Sequence, residues 1–227
     1  MPFADHLIIL PILLPMLAGI VLVLVDERHH AAKLAISIVA TLALVVVSLM
    51  LLAQVDGAAQ ASLGVYRLGD WPAPFAIVLV ADRLAALMVT LAAVLALAAV
   101  TYSAARWHSA GPHFHTLFQL LLMGLNGAFL TGDLFNLFVF FEILLAASYG
   151  LALHGSGPAR VRAGLHYVAF NLAASSLFLV GVSLIYGVTG TLNMADLALR
   201  IPALPAEHRM LLEAAVGILA IAFLVKA

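Results

Sequence analysis

Residues 132–151 read GDLFNLFVFFEILLAASYGL, with a carboxylate, Glu142, in the middle of a run of apolar residues. About 20 apolar residues suffice to cross the hydrocarbon core of a bilayer, so the run reads as a spanning helix. If that helix runs from Asp133 to about Leu153, Glu142 lies nine residues in, roughly 14 Å deep at ~1.5 Å per residue and close to the midplane. An ionised carboxylate there costs about 2.5–3.5 kcal/mol on insertion scales unless it is paired, hydrated or protonated. Desolvation favours the protonated acid, and a nearby cation favours the ion. A group held between those pressures can load and release protons; the alternative is a fixed ion pair that locks two helices together.

The rest of the chain has the same character. Of 227 residues, 65% are hydrophobic and 9% charged, against roughly 25% charged in soluble domains, and the mean hydropathy is +1.17. The reading is an all-α polytopic membrane protein with about seven transmembrane helices and the lipid bilayer as its first partner. The net charge of −1, with Lys and Arg scattered, gives no footprint for nucleic acid. The absence of cysteine excludes disulfides, thiol catalysis and cysteine metal sites. HFH and HYVAF lack the ligand sets of a zinc site, and neither GSG nor GVTGT has the P-loop lysine pattern, so no metal and no cofactor is expected.

Spans are expected at residues 7–25, 34–52, 83–103, 116–130, 133–153 and 164–186, with a seventh from Met210 that is still apolar at the final FLVKA. The N-terminus lacks a basic leader and reads as a retained first span. A seventh helix begun at Met210 covers only about 24 Å by Lys226, so the sequence reads as a piece of a longer protein. Residues 61–82 contain two short β-branched and aromatic runs around DWPAP, giving either a β-hairpin at the membrane surface or an irregular loop. Asp82 and Asp133 are expected to cap the helices that follow them, and Asn193 or Thr191 a short surface helix. Arg28, Lys33, Arg106, Arg160 and Arg162 fall on one face, Arg67, Arg83, Arg200 and Arg209 on the other. The first set lies in the shorter loops, which places the N-terminus outside the cytoplasm.

A partner for Glu142 is Lys226, the only lysine outside the first loop. Buried amines lower their pKa readily and can carry protons, whereas a lysine at a helix end ordinarily snorkels to the interface. Asn136, His166, Asn171, Ser175 and Ser176 are candidates to line a hydrated path, although hydroxyls and amides in membrane helices usually bridge neighbours. His166 can shuttle protons near neutral pH.

Three segments carry a resemblance: MGLNGAFLTGDLFNLFVFFEILLAASYGL, RAGLHYVAFNLAASSLFLVGVSLIYGVTGTLNMADLA and the closing FLVKA. They are similar to the antiporter-like membrane subunits shared by Mrp-type cation/proton antiporters and respiratory complex I (NADH:quinone oxidoreductase), and within that family to the D-type Mrp subunits. The resemblance implies a bacterial inner-membrane protein working with other subunits of a hetero-oligomeric complex and exchanging protons for Na⁺ or K⁺. It implies a transporter subunit rather than an enzyme. It carries over a glutamate in helix 5, matching Glu142, and a lysine in helix 7, matching Lys226, as the proton-translocating pair. It also implies a fourteen-helix inverted-repeat fold of which this chain is the N-terminal half. Residues 1–115 would hold helices 1–3 and the hairpin, and residues 116–227 would begin the first repeat. Alternatives are a proton-pumping subunit of complex I or a related membrane dehydrogenase, a scaffold whose charges only fix helix register, and, more remotely, a seven-helix retinal protein with Lys226 as the Schiff base.

Overall fold

The computed structural model describes residues 6–56, 64–71 and 77–226. Among these residues the chain forms eight α-helices and two strands: α1 (Leu10–Leu24), α2 (His30–Asp56), β1 (Gly64–Arg67), β2 (Val78–Ala81), α3 (Arg83–Ser103), α4 (Phe114–Leu130), α5 (Leu134–Ala152), α6 (Pro158–Thr189), α7 (Met194–Arg200) and α8 (Ala206–Lys226). Helices α2, α3, α5, α6 and α8 are long and apolar enough to cross a membrane, and α1 and α4 are shorter apolar helices. The strands pair antiparallel with Gly64 opposite Ala81 and Arg67 opposite Val78, so the described part of the expected segment forms the two arms of a hairpin. The turn signal expected within DWPAP lies partly outside the described residues.

Local chemistry sets the helix ends. The Asp82 carboxylate accepts from the Ala85 N–H at 2.6 Å, and the Asp133 carboxylate accepts from Phe135 and Asn136, satisfying donors that have no intrahelical partner. Asn193, not Thr191, caps α7 by accepting from Ala195 and Asp196. Helix α6 begins six residues before the expected Gly164, because Pro158 at its first turn has a preset φ and no N–H to satisfy. Likewise α8 starts at Ala206 rather than Met210. Residues 194–200 close into a helix of their own, so Lys226 stands on the eighth helix, α8, correcting the seventh place that counting spans assigns to it.

Helices pack closely where glycine permits it. A Cβ on Gly124 would lie 2.6 Å from the Leu144 backbone nitrogen, and one on Gly127 would meet the Phe140 ring, so α4 and α5 touch backbone to side chain along this seam. In α1, Pro15 has no N–H for the carbonyl of Pro11, and the Asn126 side-chain amide of α4 donates to that oxygen at 2.8 Å. An amide from one helix thereby completes the ladder of another.

The two membrane faces are built differently. On the hairpin face the TGD turn between α4 and α5 is stitched by main-chain bonds, Gly132 N–H to Val78 O at 2.8 Å, Leu134 N–H to Leu192 O at 3.0 Å and Met194 N–H to Gly132 O at 2.9 Å. On the opposite, loop face the ties are side chains. Glu27 accepts from Lys33 Nζ at 2.6 Å and faces His113 Nδ1 at 2.9 Å, and the Arg160 guanidinium lies over the Trp107 ring.

Two outcomes follow from this packing. Gly124→Leu is expected to pry α4 from α5 and lower stability by about 1–3 kcal/mol, read as a drop in the melting temperature of the full-length protein in detergent. Burial pushes the Glu27 carboxyl up, but the hydrogen bond and charge of Lys33, with His113, outweigh it and hold the group below its ordinary 4.5. Its contribution is therefore full above the ordinary carboxylate value and is lost as pH falls through the depressed folded value. Amide exchange in residues 26–33 is expected to rise over that acid window while exchange in the hairpin does not.

Candidate functional site: a charge pair bridged by a serine

Glu142 sits in the third turn of α5, Ser175 in the middle of α6 and Lys226 in the last turn of α8. The structure brings the three together. The Lys226 ammonium lies 3.8 Å from Glu142 Oε1 and donates to Ser175 Oγ at 2.8 Å, while the Ser175 hydroxyl donates to the Glu142 carboxylate. The serine thus accepts from the base and donates to the acid, so acid and base are joined through a hydroxyl as well as by charge. The lysine side chain is 9% exposed and the glutamate 33%. Lys226 is thus held inside the helix group.

The surroundings are apolar on one side. Phe141, Phe178 and Phe223 contact one another edge to face at 5.4–6.1 Å between ring centroids, and the Lys226 nitrogen is 5.9 Å from the Phe141 ring centroid. A cation at that distance is attracted by the ring face, and the aromatic packing limits hydration from that direction. With water thinned, pair and hydrogen-bond energies both rise.

On the other side a polar stripe leads along the α5–α6 seam toward the loop face. Asn171 lies one turn from Ser175, is buried, and donates to the Tyr167 carbonyl at 2.9 Å. The Tyr167 hydroxyl is 3.1 Å from Ser148 Oγ, and its ring meets Tyr149 edge to face. The Tyr149 hydroxyl is buried without a protein partner among the described residues. Ser148, Tyr149 and Tyr167 were not among the sequence candidates. The signal that marks them is spacing, since Tyr149 is two turns beyond Glu142 and Tyr167 two turns before Ser175.

The remaining sequence candidates lie elsewhere. Asn136 is buried at the hairpin face and donates to Thr131 Oγ1 at 3.0 Å. His166 is exposed on α6, and Ser176 is exposed with its hydroxyl donated back to the Leu172 carbonyl. A cavity of about 590 Å³ beneath the hairpin is lined by Arg67, Asp82, Thr131 and Asn193 among others, and none of the three bridged residues reaches it. No group of three or more His, Asp or Glu able to hold a metal occurs among the described residues.

Residues 131–227 match the protein-family profile described as NADH:quinone oxidoreductase/Mrp antiporter, TM. The chain is 64% identical over 226 residues to the D subunit of a probable K⁺/H⁺ antiporter of Rhizobium meliloti, covering 98% of this chain and 42% of that protein. It is 45% identical over 199 residues to the D subunit of the Na⁺/H⁺ antiporter of Alkalihalophilus pseudofirmus, covering 87% and 40%. Among solved structures it superposes on a chain of the Mrp complex from a Dietzia species with a TM-score of 0.86 and 32% identity, covering 98% of this chain and 40% of that one. The chain therefore spans about two fifths of the length of these relatives.

The bridge itself is open to test. Ser175→Ala removes one hydrogen bond from the carboxylate and one acceptor from the ammonium. A loss of about 1–3 kcal/mol in stability is expected, with Ser175→Thr restoring most of it, as read by thermal unfolding of the full-length protein.

Proposed function

We propose, for a chain homologous to the D subunits of Mrp-type Na⁺(K⁺)/H⁺ antiporters, that it forms part of a proton-translocating membrane subunit in a multisubunit monovalent cation/proton antiporter of the bacterial inner membrane. The observation that carries this reading is the Glu142–Ser175–Lys226 bridge on α5, α6 and α8. An acid and a base at van der Waals range, sharing a hydroxyl and shielded by phenylalanines, form a two-state element. With the pair closed, the carboxylate holds the lysine proton; with it open, the desolvated ammonium releases that proton.

The polar stripe through Asn171, Tyr167 and Tyr149 supplies the exit toward the loop face, and Asn136 borders the hairpin-face approach. His166 and Ser176, exposed in the isolated chain, belong to surfaces that further parts of the protein or its companion subunits would cover. Residues 116–227 would form the start of the first antiporter-like repeat, and the N-terminus would lie outside the cytoplasm, putting the loop face inside. The names of the relatives favour cation/proton antiport over the redox-coupled membrane subunit of complex I.

The test is antiport in everted vesicles carrying the full-length protein with its companion subunits. Glu142→Gln and Lys226→Met are each expected to lower antiport on the order of tenfold or more while leaving membrane insertion intact. The exchanged pair, Glu142→Lys with Lys226→Glu, is expected to stay inactive, because a directional relay depends on which helix carries the base. Wild-type antiport in either single variant overturns the reading, and full activity in the exchanged pair reduces the bridge to a helix lock.

A further inference from the structure

Helices α2 and α4 face each other through a second set of buried polar groups. On α2, Lys33, Ser37 and Thr41 recur every four residues and are 3%, 0% and 0% exposed. On α4, His115 and Gln119 are one turn apart and equally buried. The Gln119 amide donates to Ser37 Oγ at 3.1 Å and to Thr41 Oγ1 at 3.2 Å, but its Oε1 has no partner among the described residues. His115 Nε2 is 3.3 Å from His108 Nδ1, and its Nδ1 likewise has no partner among the described residues. His108 in turn touches the His30 ring at the loop face. Two unanswered acceptor or donor atoms, four residues apart on the same helix face, each stand to lose about 1–3 kcal/mol unless water reaches them. Buried water with several polar partners is the ordinary remedy. Beyond Gln119 the seam closes on Leu44 and Leu122, 0% and 2% exposed.

We propose that the loop face carries a proton-binding vestibule separate from the Glu142 and Lys226 site, in which His30, His108 and His115 form an imidazole chain and water bridges His115 Nδ1 to Gln119 Oε1. The step is balanced within the chain. A proton enters at the outer nitrogen of His108 and the shared proton moves from His108 Nδ1 to His115 Nε2, leaving His115 as the imidazolium, whose Nδ1–H donates a hydrogen bond to the enclosed water. Return of the tautomers to their starting state needs only the reverse transfer. The vestibule ends blind at Leu44 and Leu122, so a proton that enters it leaves by the same surface and is not conducted across.

The charged and titratable groups facing His115 are His108 from the connecting loop, Lys33 and His30 from α2, and Glu27 from the loop before it. Burial first, and then the proximity of His30 and His154, holds His108 below its ordinary 6.5. His108 is thus set to pass a proton on rather than to hold it, which suits transfer between imidazoles.

The experiment is histidine hydrogen–deuterium exchange, followed by mass spectrometry, on the full-length protein in lipid nanodiscs. His113, with its side chain 57% exposed, is the solvent reference. His115 is expected to exchange within about an order of magnitude of His113 despite its burial, because water contacts its ring. Gln119→Leu is expected to slow exchange at His115 several-fold while leaving exchange at His113 unchanged. No exchange at His115 while His113 goes to completion overturns the proposal in favour of a dry packed imidazole. An unchanged His115 rate in Gln119→Leu overturns the assignment of the water to that amide.

Discussion

Hydrocarbon offers no hydrogen bonds, so each polar group taken into the membrane must be answered by its own helix, by a neighbour or by enclosed water, and this requirement organises the molecule. Asn126 answers the carbonyl that Pro15 leaves without a donor in α1. Gln119 answers the hydroxyls of α2. Ser175 answers both members of an acid–base pair at once. In each case a short side chain on one helix fixes the rotation of its neighbour. The apolar packing between, with glycines letting α4 and α5 approach, brings those groups within reach.

Much of this was legible in the residues. Glu142 announces itself, because a carboxylate amid phenylalanines and leucines has no ordinary explanation. The caps at Asp82 and Asp133 follow from local stereochemistry and sit where the sequence puts them. Lys226 is harder. A lysine in the last turn of a helix normally reaches for the interface, and only the resemblance of the surrounding segments argues for the interior that the structure assigns it. The short helix at residues 194–200 is legible from its Asn193 cap, and it is a count of spans alone, which passes over it, that puts Lys226 seventh rather than on the eighth helix.

What the sequence did not disclose concerns contacts between distant segments. DERHHAAK reads as a charged loop, but Lys33 is the first residue of a polar stripe that continues inward through Ser37 and Thr41, and its ammonium is buried against Glu27. The partner stripe, His115 and Gln119, lies some eighty residues away, and periodicity alone gives no register between them. Tyr149 and Tyr167 are similarly silent, since tyrosines are commonplace near membrane surfaces. Their significance comes from sharing one seam with Asn171 and Ser175.

The contrast between the two ends of the helices has a consequence of its own. Around Gly132 the connections are amide to carbonyl and carry no titratable atom, so acidity leaves them alone. At the other end Glu27 ties the turns together through Lys33 and His113, and its carboxylate loses that bonding when acid neutralises it. Both ends carry carboxylates, but only on the loop face is the tie between turns itself an ion pair. Acid on that side would loosen the hold of Glu27 on Lys33 while the peptide bonds around Gly132 stayed in place, so the two membrane surfaces would not respond alike.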